Sequence, residues 1–163
     1  MVTTVKFAKV RPEAIIPTKR GEDAGFDIYP CFEDDFIIIP AHKTVMIPTG
    51  IASACDTDYC FVLKERDSTG IRGIAQRSGI IDSGYRSEWF VPITNTTDSD
   101  FVIAKKNIAD SFKVKYNVYP YEKAISQTLI IPVSAVDVEE YTYEELKAIS
   151  SERGTGKLGS SGK

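Results

Sequence analysis

The chain has 163 residues, a formal net charge of −3 and 42% hydrophobic residues, which predicts one domain large enough to bury a core. The negative balance excludes a global basic field that attracts long nucleic acid, although a local cluster of cations can still bind a nucleotide. No apolar stretch approaches the roughly 20 residues that span a bilayer, and the N-terminus has no signal-peptide pattern. We therefore expect a cytoplasmic protein without membrane contact.

Short segments rich in β-branched and aromatic residues, separated by turn residues, predict the strands of a sandwich or barrel. The predicted strands are Val2–Val10, Phe36–Ile39, Thr44–Pro48, Tyr59–Leu63, Trp89–Thr94, Phe112–Tyr119 and Ala124–Ile131. Only the segment after Thr142 predicts a helix, because Thr142 and Glu145 form a capping-box pattern and Leu146 and Ile149 follow near one face. We predict an all-β domain over residues 1–152 with one short late helix, and a flexible Gly-rich arm over residues 153–163.

Two segments early in the chain carry polar residues that a plain β-domain does not need. Ala24–Tyr29 begins a strand and places Asp27 among apolar neighbours, where an acid serves either as a turn residue or in a site. Glu65–Gly70 directly follows an apolar strand with an arginine, two hydroxyls and a glycine. Such a strand-to-loop junction can donate hydrogen bonds to phosphate, or it can be an ordinary surface turn.

The segment from Gln76 to Arg86 predicts a tight hairpin, because Gly79 and Gly84 bracket an Ile-Ile-Asp sequence. An outward-facing backbone there can read the edge of a flat heterocycle. Asp82 would then be a general base and Tyr85 a platform beneath a sugar. The alternative is a structural hairpin in which Asp82 only satisfies the turn.

Two further segments lie late in the chain, and a third separates two predicted strands. Gln127 is an amide inside an apolar strand and needs a partner from the backbone or from a ligand. The last eleven residues, 153–163, combine Arg153 with several glycines and suit either an anion-binding arm or a disordered tail. Thr96–Ala109 is long and charged, so we expect a solvated loop or a partner-binding insertion.

The three cysteines and one histidine have no metal-ligand spacing, which predicts free thiols.

In their order along the chain, these segments resemble the five motifs of the trimeric dUTP pyrophosphatases (dUTPases). The motifs read Ala-Gly-Phe-Asp, Arg-x-Ser-Thr, Gly-Ile-Ile-Asp-x-x-Tyr-Arg, Gln-x-Leu-Ile-Ile-Pro and Arg-Gly-x-Gly-x-x-Gly-Ser-Ser-Gly, and they span residues 24 to 162. The resemblance implies a jelly-roll-like β-barrel, a homotrimer with active sites at subunit interfaces, and hydrolysis of dUTP to dUMP and pyrophosphate. It also implies that the C-terminal arm closes over a neighbouring subunit's site and excludes water.

The same resemblance implies a role for each motif residue. Asp82 would orient and deprotonate the water that attacks the α-phosphorus, and Asp27 would touch, through water, a Mg²⁺ ion held mainly by the triphosphate. The implied substrate ligands are Arg66, Asp67, Ser68, Thr69 and Gln127 on the phosphate chain, Gln76, Gly79, Ile80 and Ile81 at the uracil edge, Tyr85 under the deoxyribose, and Arg153, Leu158, Gly159, Ser160 and Ser161 in the closing arm.

Several positions depart from the family pattern. Asp67 stands where a serine usually follows the arginine, and a carboxylate beside a triphosphate costs free energy unless it turns away, meets the metal or is protonated. Gln76 replaces a common asparagine, and Ser87 stands where glycine usually follows Tyr-Arg. Leu158 replaces the aromatic residue that stacks on uracil, next to Lys157 where glycine is common.

Two other functions fit parts of the pattern. A dCTP deaminase shares the barrel and the trimer and uses a glutamate, for which Glu88 would be the candidate. A nucleotide-gated regulatory protein of the same fold would explain Asp67 and Leu158, with a protein partner bound at Thr96–Ala109. Released ammonia, or dUTP binding without turnover, would distinguish these from a dUTPase.

Overall fold

A computed structural model of the chain describes residues 4–113 and 115–156, and short strands make up most of it. The elements are β1 Lys6–Lys9, β2 Phe26–Ile28, β3 Phe36–Ile39, β4 Thr44–Pro48, β5 Ile51–Ala54, β6 Tyr59–Lys64, α1 Asp67–Gly70, β7 Ile74–Gln76, β8 Ile80–Ile81, β9 Phe90–Asn95, β10 Phe101–Ala104, α2 Lys106–Phe112, β11 Asn117–Pro120, β12 Ser126–Pro132 and α3 Tyr143–Ala148. The prediction of an all-β, jelly-roll-like barrel is confirmed.

The strands pair in the orders β1–β5, β11–β10–β3, β2–β12–β6–β8 and β4–β9–β7. The sheet β2–β12–β6–β8 matters most for function, since several candidate segments meet on it. In its register Gln127 on β12 lies opposite Asp27 on β2 and, on the other side, opposite Lys64 at the end of β6. Paired strands run about 4.8 Å apart, so this register alone places the first, second and fourth motifs side by side.

The core lies between the sheets and contains a cluster of three aromatic rings. Phe7 on β1 and Phe61 on β6 pack with ring centroids 5.6 Å apart, and Trp89 lies 5.6 Å from Phe7 and 5.0 Å from Phe61. Phe61 and Trp89 are fully buried. Tilted and edge-on aromatic pairs of this kind add to the free energy of apolar burial. They hold β6, which carries site residues at its end, against the segment that enters β9.

The predicted late helix is confirmed as α3, and its capping box is formed. The Glu145 carboxylate accepts a hydrogen bond from the Thr142 backbone N–H at 2.8 Å, and the Thr142 hydroxyl accepts one from the Glu145 N–H at 3.3 Å. The helices α1 and α2 were not predicted. Neither offers a side-chain N-cap, and both are shorter than the window in which helical periodicity can be read.

The predicted strand Phe112–Tyr119 was wrong at its beginning, because Phe112 ends α2 and the strand starts only at Asn117. Phe112 packs on Phe36 with ring centroids 4.7 Å apart, so its apolar side chain is used by the helix. The expected solvated loop at Thr96–Ala109 was wrong in its middle. Phe101–Ala104 is a buried strand between β3 and β11.

The remaining sequence predictions concern the thiols and the chain end. Cys31, Cys55 and Cys60 are free, as expected. In the part of the chain that the structure describes, no helix is long and apolar enough to cross a membrane. The last strand ends at Pro132, and the described residues beyond it are exposed. The boundary between a domain over 1–152 and an arm over 153–163 stays a prediction.

Candidate active site

A polar pocket lies where β6 ends beside β12. It is lined by Arg20, Asp23, Ala24, Gly25, Arg66, Asp67, Ser68 and Gln127. The Gln127 side chain is fixed there, because its Nε2 donates to the Glu65 carbonyl oxygen at 3.0 Å. Gly25 leaves room for this amide, since a Cβ at Gly25 would lie 2.5 Å from Gln127 Oε1. Arginine, hydroxyl and amide donors around one open space suit phosphate oxygens.

Arg66 is held at two points beside this pocket. Its Nε lies 3.1 Å from Asp27 Oδ1, and its NH1 donates to the Ala124 carbonyl oxygen at 3.1 Å. Both charged side chains are about one-third exposed, so solvent screening leaves the pair a small effect on stability. The pair mainly fixes the direction of the guanidinium, which a bidentate phosphate ligand requires.

The first residues of α1 divide between the pocket and the core. Asp67 and Ser68 are exposed and line the pocket. Thr69 is 2% exposed, and its hydroxyl donates to the Arg66 carbonyl oxygen at 2.9 Å. Thr69 therefore stabilises the turn that presents Arg66, and a contact between its side chain and substrate would require the turn to open.

The donor set around Asp27 bears on a metal ion. Among the residues that the structure describes, no group of three or more His, Cys, Asp or Glu side chains could hold a metal ion. Mg²⁺ typically keeps several waters and takes one or two carboxylates together with substrate phosphates. Asp27, whose carboxylate pairs with Arg66 beside the pocket, suits an ion that arrives with a triphosphate, rather than an ion with a protein cage of its own.

An open, mostly apolar groove lies on the other side of β6. It has a volume of about 570 Å³ and is lined by Met46, Ser78, Gly79, Ile80, Ile81, Tyr85, Phe90 and Pro92. Volumes of about 300–1,000 Å³ are usual for small-molecule sites. Ile80 is 71% exposed and Met46 is 54% exposed. Exposed apolar side chains that line one groove can pack against the flat face of a ligand.

The predicted hairpin over Gly79–Gly84 was wrong in its pairing. Ile80 and Ile81 form β8, which pairs with Val62 and Phe61 of β6 rather than with a strand after the turn. The turn itself is present, since the Tyr85 N–H donates to the Asp82 carbonyl oxygen at 3.0 Å. Because β8 continues a sheet, one edge of the third motif is fixed by the barrel.

Gln76 offers a buried donor beside this groove. Its Oε1 accepts a hydrogen bond from the Ser126 hydroxyl. Its Nε2 is buried and has no hydrogen-bond partner among the described residues. A Cβ on Gly79 would lie 3.0 Å from this nitrogen, so the donor is at the beginning of the third motif. A buried donor without a partner costs free energy.

The turn that carries Asp82 and Tyr85 is anchored through Glu88. Tyr85 is 40% exposed, and its hydroxyl donates to the Glu88 carbonyl oxygen at 3.1 Å. The Glu88 carboxylate accepts from the Gly50 N–H at 2.8 Å and from Arg11 Nε at 3.1 Å. This hydrogen bond and the charge of Glu88 raise the pKa of Arg11. The glutamate considered for deaminase chemistry is thus engaged in holding the turn, a role that sequence reasoning missed.

Two members of the polar pocket were also missed. Arg20 and Asp23 form an ion pair with Nε–Oδ2 at 2.9 Å. The hydrogen bond from Arg20 lowers the pKa of Asp23. An Arg-x-x-Asp spacing before the first motif was the only signal in the sequence, and it is common in surface turns.

The predicted arm ligands are only partly described. Arg153 lies in an exposed turn, where its carbonyl oxygen accepts from the Gly156 N–H at 3.1 Å. Leu158, Gly159, Ser160 and Ser161 lie outside the described residues, so their roles stay predictions. The polar pocket and the apolar groove have no lining residue in common, and Asp82 lies on the exposed turn beyond the groove.

Comparisons with known proteins show the family to which the chain is similar. The family model described as dUTPase matches residues 11–109. The deoxyuridine 5′-triphosphate nucleotidohydrolase of Nautilia profundicola is 31% identical over 98% of this chain and 99% of its own length. The dUTPase of Staphylococcus bacteriophage 80alpha, solved as a variant with dUpNHpp, has a TM-score of 0.75 at 18% identity over 97% of this chain and 98% of its own. A dUTPase variant from phage phi11 of S. aureus, whose structure details the coordination of a structural Mg(II) ion, has a TM-score of 0.68 at 15% identity over 85% and 96% of the two chains.

Proposed function

Since this chain belongs to the dUTPase family, we propose that it hydrolyses dUTP to dUMP and pyrophosphate, which keeps uracil out of DNA and supplies dUMP. One observation carries the proposal: three motif segments converge on a single polar pocket, which is lined by Gly25 of the first motif, Arg66 and Ser68 of the second and Gln127 of the fourth. The pocket offers a guanidinium, a hydroxyl and an amide within one open space, which is the donor set that a phosphate chain requires.

The apolar groove takes the nucleoside. The backbone of Gly79–Asp82 pairs with the uracil edge, and Gln76 lies against Gly79 at the beginning of this segment. Tyr85 packs under the deoxyribose and leaves no room for a 2′-hydroxyl. A site whose buried donors match one base edge rejects other bases strongly, because a mismatched base leaves those donors without partners.

Asp82 acts on the water. Its carboxylate holds a water molecule and accepts a proton from it as the water oxygen attacks the α-phosphorus in line. The bond between the α-phosphorus and the bridging oxygen breaks, and pyrophosphate leaves with the electron pair. A carboxylate is a weak base at neutral pH, so positioning of the water and stabilisation of charge on the phosphates supply most of the rate.

Mg²⁺ fits the phosphate end of this site. Asp27 would reach the ion through water while its Oδ1 pairs with Arg66. Charge neutralisation on the phosphates is the chemistry that the bound ion supplies there. The residues of the chain do the rest: Arg66 and Gln127 orient the phosphate chain, and Asp82 activates the water.

The complete site is formed by a homotrimer. Two observations support this: the polar pocket and the apolar groove share no lining residue, and both the groove and the chain end expose apolar side chains. Val136 is 75% exposed and Val138 is 92% exposed, so the segment after β12 has apolar surface to place on another copy. The arm then closes over a neighbouring site with Arg153, Leu158, Gly159, Ser160 and Ser161, and it excludes water.

The first test is pyrophosphate release from the purified chain with Mg²⁺, with dUTP, dCTP, dTTP and UTP compared at equal concentrations. We expect release from dUTP alone. Asp82→Asn should still bind dUpNHpp and should lose about 10²–10⁴-fold in kcat, the usual range for a general base. Ammonia from dCTP, or dUTP binding without pyrophosphate release, would refute the proposal.

The interface is tested by mixing two inactive variants. Asp82→Asn removes the general base but keeps the phosphate pocket. Arg66→Gln removes the main cation of the phosphate pocket but keeps Asp82. If each site takes its pocket from one chain and its Asp82 from another, co-refolded mixtures should recover activity in about a quarter of sites by random cyclic assembly. Recovery should be absent when the two variants are refolded separately and then combined. No recovery in any mixture, with trimers present, would place both residues in one chain's site.

A further inference from the structure

A closed loop before the first motif brings an additional arginine to the phosphate pocket. The Asp27 N–H donates to the Thr18 carbonyl oxygen at 2.9 Å, which fixes both ends of the loop at the edge of the sheet. Within this loop Arg20 lines the same pocket as Arg66 and Gln127. Arg20 therefore shares the space proposed for the phosphate chain, although it belongs to none of the five motifs.

The turn at Arg20 holds its guanidinium in a defined direction. Arg20 Nε and NH2 donate to the two carboxylate oxygens of Asp23 at 2.9 and 3.1 Å, and the Arg20 backbone N–H donates to the same carboxylate at 3.3 Å. Lys19 Nζ donates to the Asp23 carbonyl oxygen at 2.7 Å. The Arg20 side chain is 88% exposed, so the pair contributes little stability. What it provides is orientation, and NH1 stays outside the pair.

The charges around the pocket indicate what the Arg20 cation would contribute to binding of an anion. Arg66 is committed to Asp27, and Asp67 adds a carboxylate where dUTPases usually have a serine. The charged lining residues are two arginines and two aspartates, so removal of Arg20 would leave an excess of negative charge facing a triphosphate. A carboxylate and a phosphate chain in one pocket repel each other, and a cation between them reduces that repulsion.

We propose that Arg20 is a specificity-determining ligand of the phosphate chain, which offsets Asp67 and favours the triphosphate over the monophosphate. The inference rests on the proposed dUTPase function and deepens it. Asp23 orients the guanidinium and accepts hydrogen bonds from its Nε and NH2. The remaining N–H donors of Arg20 would then bind the phosphate chain. Because the attraction grows with the charge of the ligand, Arg20 contributes more to binding of a triphosphate than of dUMP.

The experiment measures binding of dUpNHpp and of dUMP by calorimetry, with Mg²⁺, to the full chain and to three variants. Arg20→Gln should weaken dUpNHpp by about tenfold or more, as for loss of one charge-assisted hydrogen bond, and should weaken dUMP by much less. Arg20→Lys should restore part of the loss, since it keeps the charge without the fork. Lys113→Gln is the matched control, because it also removes one cation from an exposed i,i+3 pair but lies at the end of α2, outside the pocket. It should change neither affinity.

A double-mutant cycle separates the offset of Asp67 from a general effect of charge. In an Asp67→Ser background the loss caused by Arg20→Gln should be clearly smaller, because the repulsion that Arg20 offsets is gone. Equal weakening of dUpNHpp and dUMP by Arg20→Gln, or an unchanged dUpNHpp affinity, would overturn the inference while the dUTPase function stands. If the unmodified chain bound neither ligand, the proposed function would fail, and this inference would fail with it.

Discussion

Gly79 is the residue whose replacement should most sharply test how the third motif is built. Its φ is 128°, a conformation that side chains rarely adopt, and a Cβ there would lie 2.9 Å from the Leu63 carbonyl oxygen and 3.0 Å from Leu63 Cβ. Backbone strain of this kind costs about 1–3 kcal/mol. Relief by moving β8 would break the hydrogen bond from the Leu63 N–H to the Gly79 carbonyl oxygen, 2.7 Å long, at about 1 kcal/mol. We expect Gly79→Ala to lower the free energy of unfolding by about 3 kcal/mol in total.

Thermal unfolding at a fixed protein concentration measures this loss, with Gly84→Ala as the matched control. Gly84 lies five positions along the same segment, and a Cβ added there would meet no other atom within 4 Å, so its replacement should leave Tm nearly unchanged. A loss of about 3 kcal/mol corresponds to a fall in Tm of roughly 6–12 °C for a domain of this size. Equal Tm values for the two variants would refute the close contact between β8 and β6.

The same substitution should change selectivity, because Gly79 lies between the groove and the buried Nε2 of Gln76. A displaced β8 alters the mouth that receives the base. The ratio of kcat/KM for dUTP to that for dTTP should therefore fall in Gly79→Ala and should stay unchanged in Gly84→Ala. A stable Gly79→Ala protein with full selectivity would mean that the groove does not read the base.

Three further predictions concern separate parts of the chain. Gly25→Ala should raise the KM for dUTP in steady-state assays, because the new Cβ would meet Gln127 Oε1 at 2.5 Å and push the amide from the pocket; an unchanged KM would argue against a role for Gln127. Leu158→Phe should hold or raise kcat/KM for dUTP, by up to about fivefold for a stacking gain of about 1 kcal/mol, and a sharp loss would show that the arm closes differently. Burial raises the pKa of the Cys31 thiol, so less thiolate is present at any given pH, and in a thiol titration near pH 8 Cys31 should react only on unfolding; three thiols reacting at one rate would contradict this.

The sequence predicted the strands well where burial alone decided them. Phe36–Ile39 and Thr44–Pro48 have the predicted bounds, because both are rich in β-branched residues, which suit a partly buried pleated surface. The prediction failed at Phe112, because an aromatic side chain can be buried from a helix as well as from a strand, and here it packs on Phe36 from the end of α2. It failed again at Phe101–Ala104, a strand of four residues that is buried on both faces. The strand was missed because it is short and the residues on either side of it are charged.

The sequence identified several residues that line the polar pocket, but not the contacts between them. The order of the motifs identified Arg66, Ser68 and Gln127, and the structure places all three around one pocket. Spacing could not show that Arg66 pairs with Asp27, because that contact depends on the register of β2 against β12. Nor could spacing reveal the Glu88 carboxylate as the anchor of the turn, since its partners Arg11 and Gly50 are distant in the sequence.

The end of β6 is hydrogen-bonded to residues of both the apolar groove and the polar pocket. On one side Leu63 donates to the Gly79 carbonyl oxygen, and on the other Gln127 donates to the Glu65 carbonyl oxygen. The apolar groove and the polar pocket of one chain are thus both hydrogen-bonded to the segment Leu63–Glu65, at the end of β6 and just beyond it. If the trimer distributes them to different active sites, then strain at this point in one chain reaches two sites at once.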